Sequence, residues 1–156
     1  MTELARIAAL IAVMGVAVVY GTDVFCAMVL RPAFAHLDAP ALTAVTGYVH
    51  RYGDRRMPVP GALGLLGAGA SAVMASLAGH WAHAIVAGIA VGLLSVWLLL
   101  YIRVSAPINR RLTAAASTGR VLPDARALQA DWDRIINSRA ILQGLALAAL
   151  CFTLIT

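Results

Sequence analysis

Four long apolar segments, separated by polar stretches rich in arginine, dominate the pattern along the chain. They cover residues 7–30, 58–78, 81–102 and 135–156. A bilayer core about 30 Å thick is crossed by a helix of roughly 20 apolar residues, and each segment meets or approaches that length. The pattern therefore predicts an all-α integral membrane protein with four transmembrane helices, and one membrane domain over residues 1–156.

The short connections predict how these helices assemble. The turn between the second and third segments is only AGHWAH, and short loops make consecutive spans antiparallel neighbours in an up-down bundle. Small residues allow helices to approach closely in lipid. They are Gly64, Ala68 and Ser71 in the second segment and Ala84, Gly88 and Gly92 in the third. We expect these small-residue faces to pack inside the bundle and to leave room for contacts between protomers of a homo-oligomer.

The loop over residues 31–57 contains a short amphipathic helix in this prediction. Asp38 is a suitable N-cap, with Pro40 in the first turn. Apolar residues then recur at helical spacing: Leu42, Val45, Val49 and Tyr52. We expect this helix to lie at the membrane interface or to fold back over the bundle.

The loop over residues 103–134 has two predicted helical pieces, 109–116 and 124 onward, separated by STGRVLP. Pro107 and the following Arg110 and Arg111 are expected to end the third span. The second piece is expected to continue without a break into the fourth span.

Composition agrees with a membrane location, since 62% of the residues are hydrophobic and only 12% are charged. All twelve basic residues are arginine, and the formal net charge is +5. Because the arginines flank the spans, they favour a role in membrane orientation over nucleic-acid binding. The positive-inside rule places the loops 31–57 and 103–134 in the cytoplasm and both termini outside.

Asp23 is the least expected residue, because a carboxylate inside a span is costly unless it is paired or hydrated. Arg31, Arg103 and Arg139 all lie at a depth from which they could reach it. Two interpretations stay open: a functional carboxylate, and a buried ion pair that fixes the register of the bundle.

Histidines supply further candidates for proton chemistry. His36 and His50 bracket the amphipathic helix, and either can act as a base near neutral pH or remain an interfacial surface residue. His80 and His83 form an H-x-x-H pair in the outer turn, but no third ligand lies nearby in the sequence. We therefore predict no metal site, although a haem or metal carrier that uses these histidines stays an alternative.

Polar residues also gather near the cytoplasmic ends of the third and fourth spans: Asn109, Trp132, Asn137 and Arg139. Trp132 and Arg139 are seven residues apart and therefore share a helical face. They are either an interfacial anchor and a snorkelling charge or part of a polar site.

Three stretches carry a resemblance to a known family: GTDVFCAMVLRPAF, APINRRL and WDRIINSRA. Pro-x-Asn followed by Trp-x4-Asn-x-Arg resembles the small four-helix membrane proteins that include the anthrone oxygenases of polyketide pathways, most of whose bacterial members have no assigned function. The matching residues are Pro32, Pro107, Asn109, Leu112, Trp132, Asn137 and Arg139. The chain departs from the family at Ser138, where many members carry a histidine.

The resemblance implies an oxygenase-like enzyme of the bacterial inner membrane that oxidises a phenolic, anthrone-type or other small hydrophobic substrate with O2 and without a cofactor. Its implied roles are a base at Asp23 or His50, an oxyanion held by Arg139, Asn109 and Asn137, and stacking on Trp132 and Tyr101. The alternative is a non-enzymatic membrane protein in which these polar residues lock the bundle and the amphipathic helix binds a partner or lipid. A cavity reaching Asp23 favours the enzyme, whereas a solid core favours the alternative.

Overall fold

The computed structural model describes residues 2–155, which form seven α-helices and two π-helical segments. The α-helices are α1 Glu3–Phe25, α2 Arg31–Phe34, α3 Ala39–Arg56, α4 Pro58–Leu77, α5 Trp81–Leu100, α6 Ala106–Ser117 and α7 Ala125–Ile155. The π segments, Cys26–Leu30 and Tyr101–Ser105, join α1 to α2 and α5 to α6. The predicted all-α class is confirmed, and four helical runs are long and apolar enough to cross a membrane: Glu3–Phe34, Pro58–Leu77, Trp81–Ser117 and Ala125–Ile155.

Four long helices form a closed ring in which α1 and α5 each pack against both α4 and α7. The contact between α1 and α4 is very close, since a methyl group added at Gly15 would lie 2.5 Å from the Pro60 carbonyl oxygen and 2.7 Å from the Gly64 nitrogen. Further along, Gly67 faces the backbone of Ala12. These contacts run in opposite chain directions, so α1 and α4 are antiparallel.

The prediction of small-residue packing holds for α4 and is wrong for part of α5. Gly64 and Ala68 are buried against the other helices. Gly88 and Gly92 are exposed, and a methyl group added at either position would have no atom within 4 Å. The predicted Ala84 is buried, and the core face of α5 continues with Ala87, Ala90 and Leu94. Contacts between protomers through the outward glycines stay a prediction.

The third long run does not end at Pro107, as the sequence analysis expects, but continues to Ser117. In the π segment before it, the N–H of Ala106 bonds to the carbonyl of Tyr101, five residues back. A proline disturbs the normal i to i−4 pattern, and a π segment lets the chain continue as a helix beyond that disturbance. The same arrangement recurs at Pro32, where the N–H of Arg31 bonds to the carbonyl of Cys26.

Helices α3 and α6 pack together at one end of the ring. The predicted N-cap of α3 is confirmed, because Asp38 Oδ1 accepts a hydrogen bond of 2.8 Å from the Ala41 N–H. Of the predicted apolar stripe, Leu42 is buried, whereas Val45, Val49 and Tyr52 are exposed, as they would be on a helix at the membrane interface. The buried face of α3 carries Leu42, Thr43, Thr46, Gly47 and His50.

This orientation of α3 has a local cause. The hydroxyls of Thr43 and Thr46 donate to carbonyls of their own helix, at 2.8 and 2.7 Å, so they are buried with a partner. Gly47 lets α6 approach, and its carbonyl accepts a hydrogen bond of 3.1 Å from the Thr113 hydroxyl. His50 is thereby turned towards the interior of the bundle.

Candidate functional site

A cavity of about 410 Å³ lies within the ring, at the end where α3 and α6 pack. Most of its wall is apolar, formed deeper in the ring by residues such as Val16, Leu65 and Leu94. Six of the seven site residues expected from the sequence line it: Asp23, His50, Tyr101, Asn109, Trp132 and Arg139. The structure thus brings together residues that are separated by more than a hundred positions.

A buried ion pair stands in the wall of this cavity. Arg139 donates from one terminal nitrogen to Asp23 Oδ1 at 2.8 Å, and only 7% and 3% of the two side chains are exposed. The other Asp23 oxygen accepts a hydrogen bond of 3.1 Å from the Trp97 indole N–H. Of the three arginines left open by the sequence, Arg139 is therefore the partner. Both carboxylate oxygens have a donor, an arrangement that suits holding Arg139 better than taking up a proton.

The guanidinium of Arg139 lies among aromatic rings. Its central carbon is 5.7 Å from the ring centres of Trp97 and Tyr101 and 5.5 Å from that of Trp132. Its second terminal nitrogen donates to the Ser105 hydroxyl at 2.8 Å. A cation near aromatic faces is stabilised by their quadrupoles, so a charged group is held in an otherwise apolar wall.

A second polar network centres on Asp54, which is not among the site residues predicted from the sequence. Its Oδ1 accepts hydrogen bonds of 2.8 Å from both the Tyr101 hydroxyl and the Asn109 amide. Asp54 follows His50 by four residues on α3, so the two side chains share a helical face. If His50 faces the interior, this spacing predicts that Asp54 does so too. Trp97, also missed, precedes Tyr101 by four residues and stacks on it with ring centres 6.2 Å apart.

His50 faces the cavity beside Trp132, with ring centres 5.5 Å apart. Burial lowers the pKa of His50 to about 4; the negative charge of Asp54 opposes this change, and the positive charge of Arg139 adds to it. The imidazole is therefore neutral at physiological pH and has a free lone pair. A neutral imidazole can accept a proton from a substrate.

Several polar atoms on the lining residues have no hydrogen-bond partner within residues 2–155. They are His50 Nε2, Asn109 Oδ1, Trp132 Nε1, Arg139 Nε and Gln143 Oε1. Buried polar groups are nearly always paired, so these five atoms show that the hydrogen bonding of the residues around the cavity is incomplete.

The seventh predicted residue, Asn137, does not belong to this group. Its side chain is exposed and does not line the cavity. On α7 the buried positions are 132, 136, 139 and 143, and position 137 turns away from that face because successive residues are rotated by about 100°. Asn137 therefore lies outside the polar cluster of the cavity, and its role in binding a substrate stays a prediction.

The remaining histidines lie elsewhere. His36 is exposed in the turn between α2 and α3, and the rings of His80 and His83 are 6.0 Å apart at the opposite end of the ring of helices. Within the described part of the chain, no three His, Cys, Asp or Glu side chains are grouped so that they could hold a metal ion.

Comparison with known proteins does not extend this picture, since no protein-family model, curated protein or solved structure matches the chain. The resemblance to the anthrone oxygenases accordingly stays a prediction from the quoted motifs.

Proposed function

We propose that the protein is an integral membrane enzyme that oxidises a flat, phenolic carbon acid of the anthrone type to a quinone with O2. One observation carries the proposal: the imidazole of His50 and the ion-paired guanidinium of Arg139 line the same aromatic cavity. The quoted motifs suggest the reaction class. The cavity supports it by offering a base, a cation and aromatic walls, which suit this reaction.

The size and lining of the cavity suit such a substrate. Small-molecule sites typically enclose about 300–1,000 Å³ and are lined mainly by apolar and aromatic side chains with a few polar groups. A tricyclic ketone with a CH₂ group between two aromatic rings is flat and apolar, and it carries oxygen atoms at its edge. Trp97, Tyr101 and Trp132 offer aromatic faces to it, and Arg139 offers N–H donors to an oxygen.

In the first step, His50 takes a proton from the CH₂ group, and the substrate becomes an enolate. The imidazolium formed is stabilised by the charge of Asp54, and the enolate oxygen is stabilised by Arg139. Asp23 holds Arg139 in place, so it acts as a positioning residue. His50 takes the role of the histidine that the chain lacks at Ser138.

The enolate then transfers an electron to O2, and the two radicals combine to form a carbon–oxygen bond. The remaining C–H proton passes to the distal peroxide oxygen as the O–O bond breaks, which leaves C=O and releases hydroxide. A proton equivalent to the one that His50 took first then converts the hydroxide to water. The overall change converts CH₂ and O2 into C=O and H₂O. The chain's own residues supply the base and the cationic stabilisation, and the largely apolar wall keeps the surroundings of the enolate poor in water.

The membrane location in this proposal is supported by the four long apolar helical runs. All arginines except Arg6 lie within residues 31–56 and 103–139, near the end of the ring that holds the cavity. By the positive-inside rule this end faces the cytoplasm of a bacterial inner membrane, and both termini lie on the other side.

Oxygen uptake and quinone absorbance, measured with anthrone and the detergent-purified protein, test the proposal. We expect the wild type to oxidise anthrone well above the rate in buffer, and His50→Gln to lose roughly 100-fold or more of that rate. His36→Gln, a change at an exposed histidine, serves as the matched control and should retain activity. A wild-type rate equal to autoxidation, or equal rates in wild type and His50→Gln, would contradict the proposal; tight binding without turnover would favour a binding protein.

A further inference from the structure

A second, much smaller pocket adjoins the main cavity. Its volume is about 10 Å³, which is close to the space that a single water molecule needs. The two pockets share His50 and Trp132, and the small one is also lined by Gln129, Asp133 and Arg31. His50 therefore stands between the candidate active site and a separate polar pocket.

Three of the residues that line this small pocket carry a buried polar atom that lacks a hydrogen-bond partner in the described chain: His50 Nε2, Gln129 Oε1 and Trp132 Nε1. The indole N–H is a donor, the amide oxygen is an acceptor, and the imidazole nitrogen is either, depending on the tautomer. A water molecule has two protons and two lone pairs, so one bound water can satisfy all three atoms. This complementarity points to a water as the occupant.

The pocket also leads towards the surface of the protein. Gln129 donates from its amide nitrogen to Asp133 Oδ1 at 2.9 Å, and Asp133 is only partly buried. The ionisable residues that line the cavity with His50 are Asp23, Asp54, Tyr101 and Arg139; Arg31 and Asp133 line the small pocket, and Cys26 lines both. Asp133 is thus the carboxylate placed to pass a proton between the pocket and solvent.

We propose that a water bound by His50, Gln129 and Trp132 connects His50 to Asp133, and that Asp133 exchanges the proton of His50 with solvent. The proposal rests on the proposed function, in which His50 is the base. A proton taken from the substrate at one imidazole nitrogen leaves from the other nitrogen through the water. The overall oxidation releases no net proton, so an equivalent proton returns by the same route when hydroxide leaves as water.

Hydrogen–deuterium exchange at the CH₂ group of anthrone, measured in D₂O without O2, separates the two proposals. In the wild type we expect catalysed exchange, because His50 removes the proton and the relay replaces it with deuterium. In Asp133→Asn the abstracted proton returns to the same carbon, and catalysed exchange should fall roughly tenfold or more. Small carboxylic acids such as formate should restore part of it, since they can replace the missing carboxylate.

Asp131→Asn is the matched control, because it makes the same change on α7 at an exposed residue that is paired with Arg134 and does not line the pocket. Gln129→Leu removes an acceptor for the water and should lower exchange as Asp133→Asn does. Melting curves of all variants verify that they are folded. Wild-type exchange with unchanged exchange in both Asp133→Asn and Gln129→Leu would overturn the relay alone, whereas no catalysed exchange in the wild type would overturn the proposed function and the relay with it.

Discussion

Breaking the buried ion pair between Asp23 and Arg139 should lower the free energy of unfolding. Its side chains are 3% and 7% exposed and its N–O distance is 2.8 Å, so water screens the charges little. Arg139→Met removes the cation and leaves the Asp23 carboxylate buried without its ionic partner. Removal of one member of a buried pair costs about 3–5 kcal/mol, and we expect a loss of this size in the free energy of unfolding.

The double variant Asp23→Leu/Arg139→Met tests whether the loss comes from the unpaired charge. Replacement of both members by apolar residues removes the desolvation cost together with the attraction, and is often neutral or stabilising. We therefore expect the double variant to recover most of the stability lost by Arg139→Met, while it loses oxidation activity because the cation is absent.

Equilibrium unfolding in mixed detergent micelles measures these differences. Arg134→Met serves as the control, since it breaks an exposed ion pair with Asp131 on the same helix, where 78% and 54% of the side chains are exposed. That change should cost less than about 1 kcal/mol. If Arg139→Met is as stable as Arg134→Met, or if the double variant is no more stable than Arg139→Met, the stability loss does not come from an unpaired buried charge.

Three further predictions concern stability. Burial lowers the pKa of His50 to about 4, whereas a histidine in the unfolded chain titrates near 6.5. As the pH falls, the unfolded chain therefore binds the proton first. The free energy of unfolding should drop by roughly 3 kcal/mol between pH 6.5 and 4. His50→Gln should lack this part of the drop when unfolding is compared at pH 7 and pH 4, and an unchanged pH dependence would contradict the assignment. Gly15→Ala should cost about 1–3 kcal/mol, because its methyl meets backbone atoms of α4, whereas Gly88→Ala, which meets nothing within 4 Å, should unfold like the wild type. Tyr101→Phe should cost about 1 kcal/mol through the lost hydrogen bond to Asp54, and equal unfolding midpoints would show that this bond contributes nothing.

The helical architecture follows from the sequence because hydrophobic length is a local property. Each long apolar segment must become a helix if its backbone groups are to be paired away from water. Much of the candidate site is also predictable from the sequence, because a carboxylate, an arginine and an amide are costly in apolar surroundings and indicate a polar site where they occur. Asp23, Asn109 and Arg139 were found on this ground.

Other features depend on three-dimensional context that a pattern does not contain. The choice of Arg139 over Arg31 and Arg103 depends on how α7 is rotated against α1. Asp54 lies in a stretch rich in charges and glycine, and its spacing of four residues from His50 becomes informative only once His50 is known to face the interior. Pro107 has the form of a stop signal, and its accommodation after a π segment depends on the helices packed around it.

The central claim is that the cavity performs an oxygenase reaction, and the origin of the product's oxygen tests this most directly. Wild-type protein is supplied with anthrone and ¹⁸O₂ in unlabelled water, and the quinone is analysed by mass spectrometry. We predict one ¹⁸O atom in each quinone formed, at the carbon that was CH₂. A quinone whose new oxygen comes from water, or no quinone beyond the amount formed in buffer, would contradict the account.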